Sequence, residues 1–172
     1  MMRRSLFCLA MVAVAVPLWA GDLVLQKSDS IARIEVGVFC RPKELGRNPA
    51  PETRLGYVSS SGEVGSFSEP GQQVPAALGV SFGVRSMAAR DIDPVRIVLL
   101  RPDQGKPDVW ADTFHAGAEN IEFFAFDFPD EMVTGNWVFE AWDGEELLYK
   151  VGFTVVPEVT MPDLVAKCQG VS

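Results

Sequence analysis

The sequence predicts an all-β protein, an antiparallel sandwich of about seven to eight short strands followed by one short C-terminal helix. Three observations predict it. Apolar residues recur at every second position, as in Leu78, Val80, Phe82 and Val84 or in Ile34, Val36 and Val38, which is the period that puts side chains on one face of a strand. These stretches are rich in β-branched and aromatic residues and are bounded by clusters of Gly, Pro, Asp and Ser. Between them nothing supplies the helical stripes of about 10 to 15 residues that parallel crossovers need, so α/β architectures are disfavoured.

Taken in order, the alternating stretches place strands at 32–39, 55–59, 78–85, 95–100, 109–115, 121–128, 136–141 and 146–156. Two stretches read as loops because proline removes ladder donors: 41–54, with Pro42, Pro49 and Pro51, and 65–75, with Pro70 and Pro75. The hairpin near Trp142-Asp143-Gly144 has two possible registers. A two-residue turn would set Glu140 beside Leu147 on the core face, whereas a three-residue loop with Gly144 left-handed in a bulge pairs Phe139 with Leu147 and Trp137 with Tyr149. The second keeps the apolar residues together, so it is the expected one, with Trp142 at the loop tip. In the tail, Thr160 is the expected cap, Pro162 sits in the first turn, Asp163 completes a capping box, and the helix ends near Gly170.

The 172 residues suit one domain, and 48% hydrophobic content with 22% charged residues excludes wholesale disorder. With 15 Lys+Arg against 23 Asp+Glu and a pI near 4.6, the chain lacks the basic face that a nucleic-acid or anionic-membrane ligand requires. Residues 1–20 read as a secretory signal peptide: Arg3 and Arg4 are basic, an apolar run follows, and Leu18-Trp19-Ala20 makes a cleavage end. The uncharged run is shorter than the roughly 20 residues of a spanning helix, so no stable membrane anchor is expected after cleavage. Cys8 lies inside that run, after Phe7, where a lipoprotein site would want a small residue. Cleavage leaves 13 Lys+Arg against 23 Asp+Glu, a net charge of −10. The expected organisation is a signal peptide at 1–20, a sandwich at 21–157 and a tethered tail at 158–172, in a bacterial protein that is periplasmic or secreted.

Only Cys40 and Cys168 remain after cleavage, and an even pair in an oxidising compartment points to a disulfide between the end of the first strand and the tail. One His and two oxidised thiols lack the spacing of a zinc site, and no metal or other cofactor is expected. The acidic groups Asp127-Phe128-Pro129-Asp130-Glu131 and Asp143-Gly144-Glu145-Glu146 offer oxygens suited to calcium, but without the spacing of an EF-hand loop; a solvated rim of carboxylates is the expectation.

Thr134-Gly135-Asn136-Trp137-Val138-Phe139-Glu140, then Leu147-Leu148-Tyr149 and Phe153-Thr154-Val155-Val156, resemble the bacterial exported domains grouped as domain of unknown function 3859. The resemblance takes in Gly37-Val38-Phe39 and Leu78-Gly79-Val80-Ser81-Phe82-Gly83-Val84, and so covers roughly residues 31–157. It implies a secreted, immunoglobulin-like domain and transfers no catalytic residue.

Two functional classes follow. The first is a non-enzymatic binding or accessory module with a protein or glycan partner in the cell envelope. Its candidate surface comes from 121–128, where apolar side chains lie on both faces: Phe124, Phe126 and Phe128 on one, Ile121, Phe123 and Ala125 on the other. A one-sided sheet cannot hide both sets. Either a long loop or the tail covers the second face, or Phe123, joined by Trp110 or Trp142, forms an exposed patch. The second class is a small serine hydrolase. Gly79-Val80-Ser81-Phe82-Gly83 matches the nucleophile-elbow pattern, and Ser81, then Asp103 or Asp108, then the single histidine, His115, follow in hydrolase order. An elbow needs a strand that breaks into a helix, whereas the alternation here runs straight through. The discriminating geometry is a hydrogen bond between Ser81 and His115 beneath a pocket.

Overall fold

The computed structural model describes residues 25–103 and 105–170, and the expected signal peptide lies outside them. In chain order the strands are β1 (Leu25–Lys27), β2 (Ile31–Cys40), β3 (Glu44–Pro49), β4 (Tyr57–Ser61), β5 (Glu69–Pro70), β6 (Gln73–Ala76), β7 (Val80–Ala88), β8 (Ile92–Leu100), β9 (Asp108–Phe114), β10 (Glu119–Ala125), β11 (Gly135–Asp143) and β12 (Glu146–Pro157), followed by helix α1 (Pro162–Gln169). Each of the eight stretches expected from alternation is a strand, with ends displaced by at most three residues.

One sheet runs β1-β12-β11-β8-β9, with β6 also paired to β12, and the other runs β10-β7-β2-β5. If β2, β7, β8, β9, β10, β11 and β12 are lettered A, B, C, C′, E, F and G, the sheets become ABE and GFCC′. This is an immunoglobulin-like antiparallel sandwich with a short C-terminal helix, as the sequence led one to expect. The β3–β4 hairpin forms a separate two-stranded sheet.

The sheets meet around Phe82 of β7. Its ring lies 5.1–6.0 Å from the rings of Phe124, Phe126, Trp137, Phe139 and Phe153, so that both sheets contribute to one aromatic slab. Burying such a side chain stabilises by about 1.5–3 kcal/mol, and each well-placed ring pair adds about 0.5–1.5 kcal/mol. The Trp137 indole N–H donates to the carbonyl of Val133 at 2.9 Å, so the largest core residue leaves no unsatisfied donor.

Several local expectations give way. The proline-rich loops contain strands: β3 ends at Pro49, β5 at Pro70, and β6 includes Pro75. All three lie at sheet margins, where a missing N–H breaks no ladder. The β11–β12 hairpin pairs Trp137 with Phe153 and Phe139 with Val151, four residues further along β12 than expected. The slip is even, so the apolar residues still share a face. The bulge lies between Ala141 and Trp142, which places Trp142 within β11, and Gly144 (φ 54°) leads a two-residue turn between Asp143 and Glu146. That glycine-first turn matches strand twist without a third loop residue. Thr160 does not cap α1; it closes a 3₁₀ turn, Glu158–Thr160, and Met161 takes the cap position, its N–H donating to Glu158. Pro162 opens the helix as expected, and Leu164, Val165 and Cys168 form its buried face.

Cys40 and Cys168 are joined by a disulfide, with Cα atoms 4.7 Å apart across 128 residues of sequence. Gly79, at φ 81°, turns the chain into β7 against the carbonyl of Cys168. Closing a loop of this length removes denatured-state entropy worth about 4–5 kcal/mol. Replacing both cysteines, Cys40→Ser with Cys168→Ser, is expected to lower the unfolding free energy by about that amount in urea titrations, and reductant should lower only the wild type.

Candidate functional site

Strand β9 ends one sheet and β10 ends the other, on the same side of the sandwich. Between them the sheets part, and the β3–β4 hairpin with its loop lies across the opening. The result is a groove of about 800 Å³. Trp110 sits opposite Ile97 of β8 and so points inward. Its indole N–H donates to Oε2 of Glu122 at 2.9 Å, bridging the two edge strands.

Glu122 shares the inner face of β10 with Phe124 and Phe126 and is 5% exposed. Among the described residues no donor reaches its Oε1. Burial, and after it the neighbouring Asp112 carboxyl, push its pKa well above the usual carboxylate range, while the Trp110 hydrogen bond opposes the shift. The buried hydroxyl of Tyr149 likewise lacks a partner, and burial followed by the charges of Glu122 and Asp112 pushes its pKa well up. At the other end of the groove, Arg101 has a side chain only 1% exposed, lies over Trp137 at 4.8 Å and Phe124 at 5.6 Å, and pairs with Asp103 at 3.2 Å. Its Nη1 has no hydrogen-bond partner among the described residues.

Arginines hold the hairpin over the groove. Arg54 donates to Asp130 at 2.7 Å and to Glu131 at 2.6 Å, and its backbone N–H donates to Asp108 at 2.5 Å. Glu131 is 1% exposed and also accepts the N–H groups of Asp127 and Phe128. Arg41 meets Asp127 at 2.9 Å. The first acidic group is therefore no solvated rim: Glu131 is the buried anchor of a 3₁₀ turn. In the second group, Arg90 bridges Asp143 at 2.7 Å and Glu146 at 3.2 Å.

The aromatic candidates separate. Phe123 and Trp110 both line the groove, whereas Trp142 does not. Trp142 lies elsewhere, with Arg96 over its ring at 5.6 Å and its N–H donating to Glu140 at 3.0 Å. Phe123 is half-buried: Phe39 packs on it at 5.5 Å, Phe67 from the 62–68 loop packs on Phe39 at 5.8 Å, and Arg85 covers Phe67. Phe128 is exposed and lies beyond the end of β10.

Ser81 and His115 are not brought together. Ser81 is fully buried between Phe39 and Ala125, and its hydroxyl has no hydrogen-bond partner among the described residues. His115 is exposed beside Asp91, at the other end of the sandwich. Ala88, which bridges Ala116, lies about 23 Å along β7 from Ser81 at ~3.3 Å per residue. The glycines of the elbow pattern have other reasons: Gly79 makes a turn, and a Cβ on Gly83 would lie 2.1 Å from the Glu122 carbonyl and 2.7 Å from Phe123.

Sequence reasoning missed Glu122 and Arg101. The parity that put Phe124 and Phe126 on the inner face also put Glu122 there, which was the available signal. Arg101 had none, since its burial depends on rings contributed by two other strands.

Neither a family model nor a curated protein matches the chain. Among solved structures it is similar to an immunoglobulin-like protein from Pseudomonas aeruginosa, at 23% identity and TM-score 0.47, over 77% of this chain and 97% of that one.

A folded-state pKa raised for a carboxyl means that the native state holds its proton after the unfolded chain has released it. The associated stability is present below the unfolded pKa and is lost as pH rises toward the folded value. Glu122→Gln should therefore flatten the fall in stability above about pH 4.5 and be more stable than wild type at neutral pH, as read by urea unfolding across pH. Gly83→Ala should cost about 1–3 kcal/mol in the same assay, because its methyl meets strand backbone that cannot move aside.

Proposed function

We propose that this chain is a non-enzymatic binding module of the bacterial cell envelope, exported by residues 1–20, which takes a protein or glycan partner into the groove between β9 and β10. The resemblance to the exported domains of unknown function 3859 supports the location, and the disulfide is in keeping with an oxidising compartment. One observation carries the binding reading. A groove of about 800 Å³, walled by Trp110, Phe123 and Phe124, contains two buried polar side chains, Glu122 and Arg101, whose Oε1 and Nη1 find no hydrogen-bond partner among the described residues. Buried polar atoms are normally paired, so atoms left open inside a concave aromatic site are suited to a ligand. The separation of Ser81 from His115 removes the basis for the hydrolase alternative.

Tagged protein incubated with envelope extract of its own host should retain a partner. Asp112→Arg, an exposed substitution on the same face of β9 as Trp110, should weaken retention about tenfold or more, a loss of about 1.4 kcal/mol. Trp142→Ala, away from the groove, should leave it unchanged. Equal retention by Asp112→Arg and wild type would remove the groove from the function.

A further inference from the structure

The groove has a feature beyond its unsatisfied side chains: its wall contains a free strand edge. Strand β10 pairs with β7 and with no other strand among the described residues. The N–H of Phe126 donates to the carbonyl of Val80 at 3.0 Å. Continuing by twos along the unshifted register, Phe124, Glu122 and Asn120 turn their N–H and C=O groups toward β7. Ile121, Phe123 and Ala125 therefore turn theirs away, to the open side, and all three line the groove. The other side of β7 agrees: Arg41 donates to the carbonyl of Gly79 at 2.8 Å, so alternate residues of β7 face β2.

Free edges are usually guarded by proline, lysine, bulges or shortness. The other margins of the two sheets fit that rule. Strand β5 has two residues and ends in Pro70, β6 contains Pro75, and β1 has three residues and ends in Lys27. The edge of strand β9 is partly closed, because its Val109 N–H is already donated to the carbonyl of Glu52. Strand β10 has seven residues, no Pro, no Lys and no bulge, and its one inward acid, Glu122, is held by Trp110. Across the groove, β4 pairs only with β3 among the described residues and presents Tyr57–Ser61 as the facing wall.

Charge selects the occupant. Arg54 is committed to Asp130 and Glu131, Arg101 to Asp103, and Arg96, the third arginine of the lining, lies over the Trp142 ring on the outer face. Glu52, Asp112 and Glu122 line the same groove with no Lys or Arg paired to them among the described residues. An incoming chain with a basic side chain would meet carboxyl groups with no cation of their own.

Resting on the reading of the groove as a binding site, we infer that it admits one extended segment of a partner protein, containing Lys or Arg, which adds as a strand to the free edge of β10 and supplies its basic side chain to Asp112 and Glu52. Three outward-facing residues on β10 correspond to a segment of about five to seven residues, roughly 17–23 Å long. Main-chain hydrogen bonds to Ile121, Phe123 and Ala125 would supply affinity, and the carboxyl groups would supply selectivity.

A phage-displayed library of random dodecapeptides, selected on the immobilised disulfide-bonded protein, provides the probe, with an array of purified bacterial glycans run in parallel. The expected result is enrichment of alternating, Lys- or Arg-containing peptides. A synthetic version of the strongest should protect the amides of Ile121, Phe123 and Ala125 from hydrogen exchange. N-methylation along it should weaken binding about tenfold or more at every second residue and little between. Asp112→Asn should weaken it about threefold or more. Selected peptides without the two-residue N-methyl pattern, or protection of the same amides in the protein alone with rising concentration, would overturn the strand-addition inference. Glycan retention without peptide retention would overturn it while leaving the binding-module reading intact, and retention of neither would count against both.

Discussion

The contact between the two sheets around Phe82 is the constraint on which the rest of the molecule depends. Rings from β7, β10, β11 and β12 interlock there, which fixes the separation of the layers at their centre. Twisted sheets that are pinned centrally diverge toward their margins, because each strand is rotated relative to its neighbour. On the side of β9 and β10 the divergence is not filled with apolar bulk. It contains Trp110, Glu122 and Arg101, which are polar at their tips, and so remains a groove.

The hairpin that roofs this groove is held by charges. Arg41 and Arg54, both in a stretch that reads as loop, reach acids of the 127–131 turn far along the chain. Exposed ion pairs contribute little. Arg54 differs because one of its partners, Glu131, is buried, and an unpaired buried carboxylate would be strongly destabilising. The disulfide acts at the same end of the sandwich, fastening α1 to the end of β2, so the structure that shapes the site is secured at several points distant in sequence.

The apparent hydrolase pattern shows how a short motif can arise from packing. Gly83 leaves room for Phe123 and the β10 backbone, Gly79 adopts a left-handed turn against the tail, and Ser81 lies between them because strand parity places it there. Three residues chosen for backbone approach and facing reproduce the spelling of a nucleophile elbow without its strand-to-helix break.

Alternation alone located eight strands and their faces, since the period of two is a local consequence of the pleat and is written directly in the side chains. The cysteine pair was equally legible, because Cys8 lies in the stretch expected to be a signal peptide and only Cys40 and Cys168 lie beyond it. The short margins β1, β3, β5 and β6 were not, as stretches of two to six residues, interrupted by proline in all but β1, have no periodic signal and depend on a neighbouring strand for their hydrogen bonds. The hairpin slipped by four residues for a related reason: several even shifts preserve the same faces, and only packing across both sheets selects one. The groove was decided entirely by tertiary structure. Trp110, Glu122, Arg101 and the hairpin come from distant parts of the chain, and their meeting is set by how two twisted layers diverge at one margin, which no local pattern encodes.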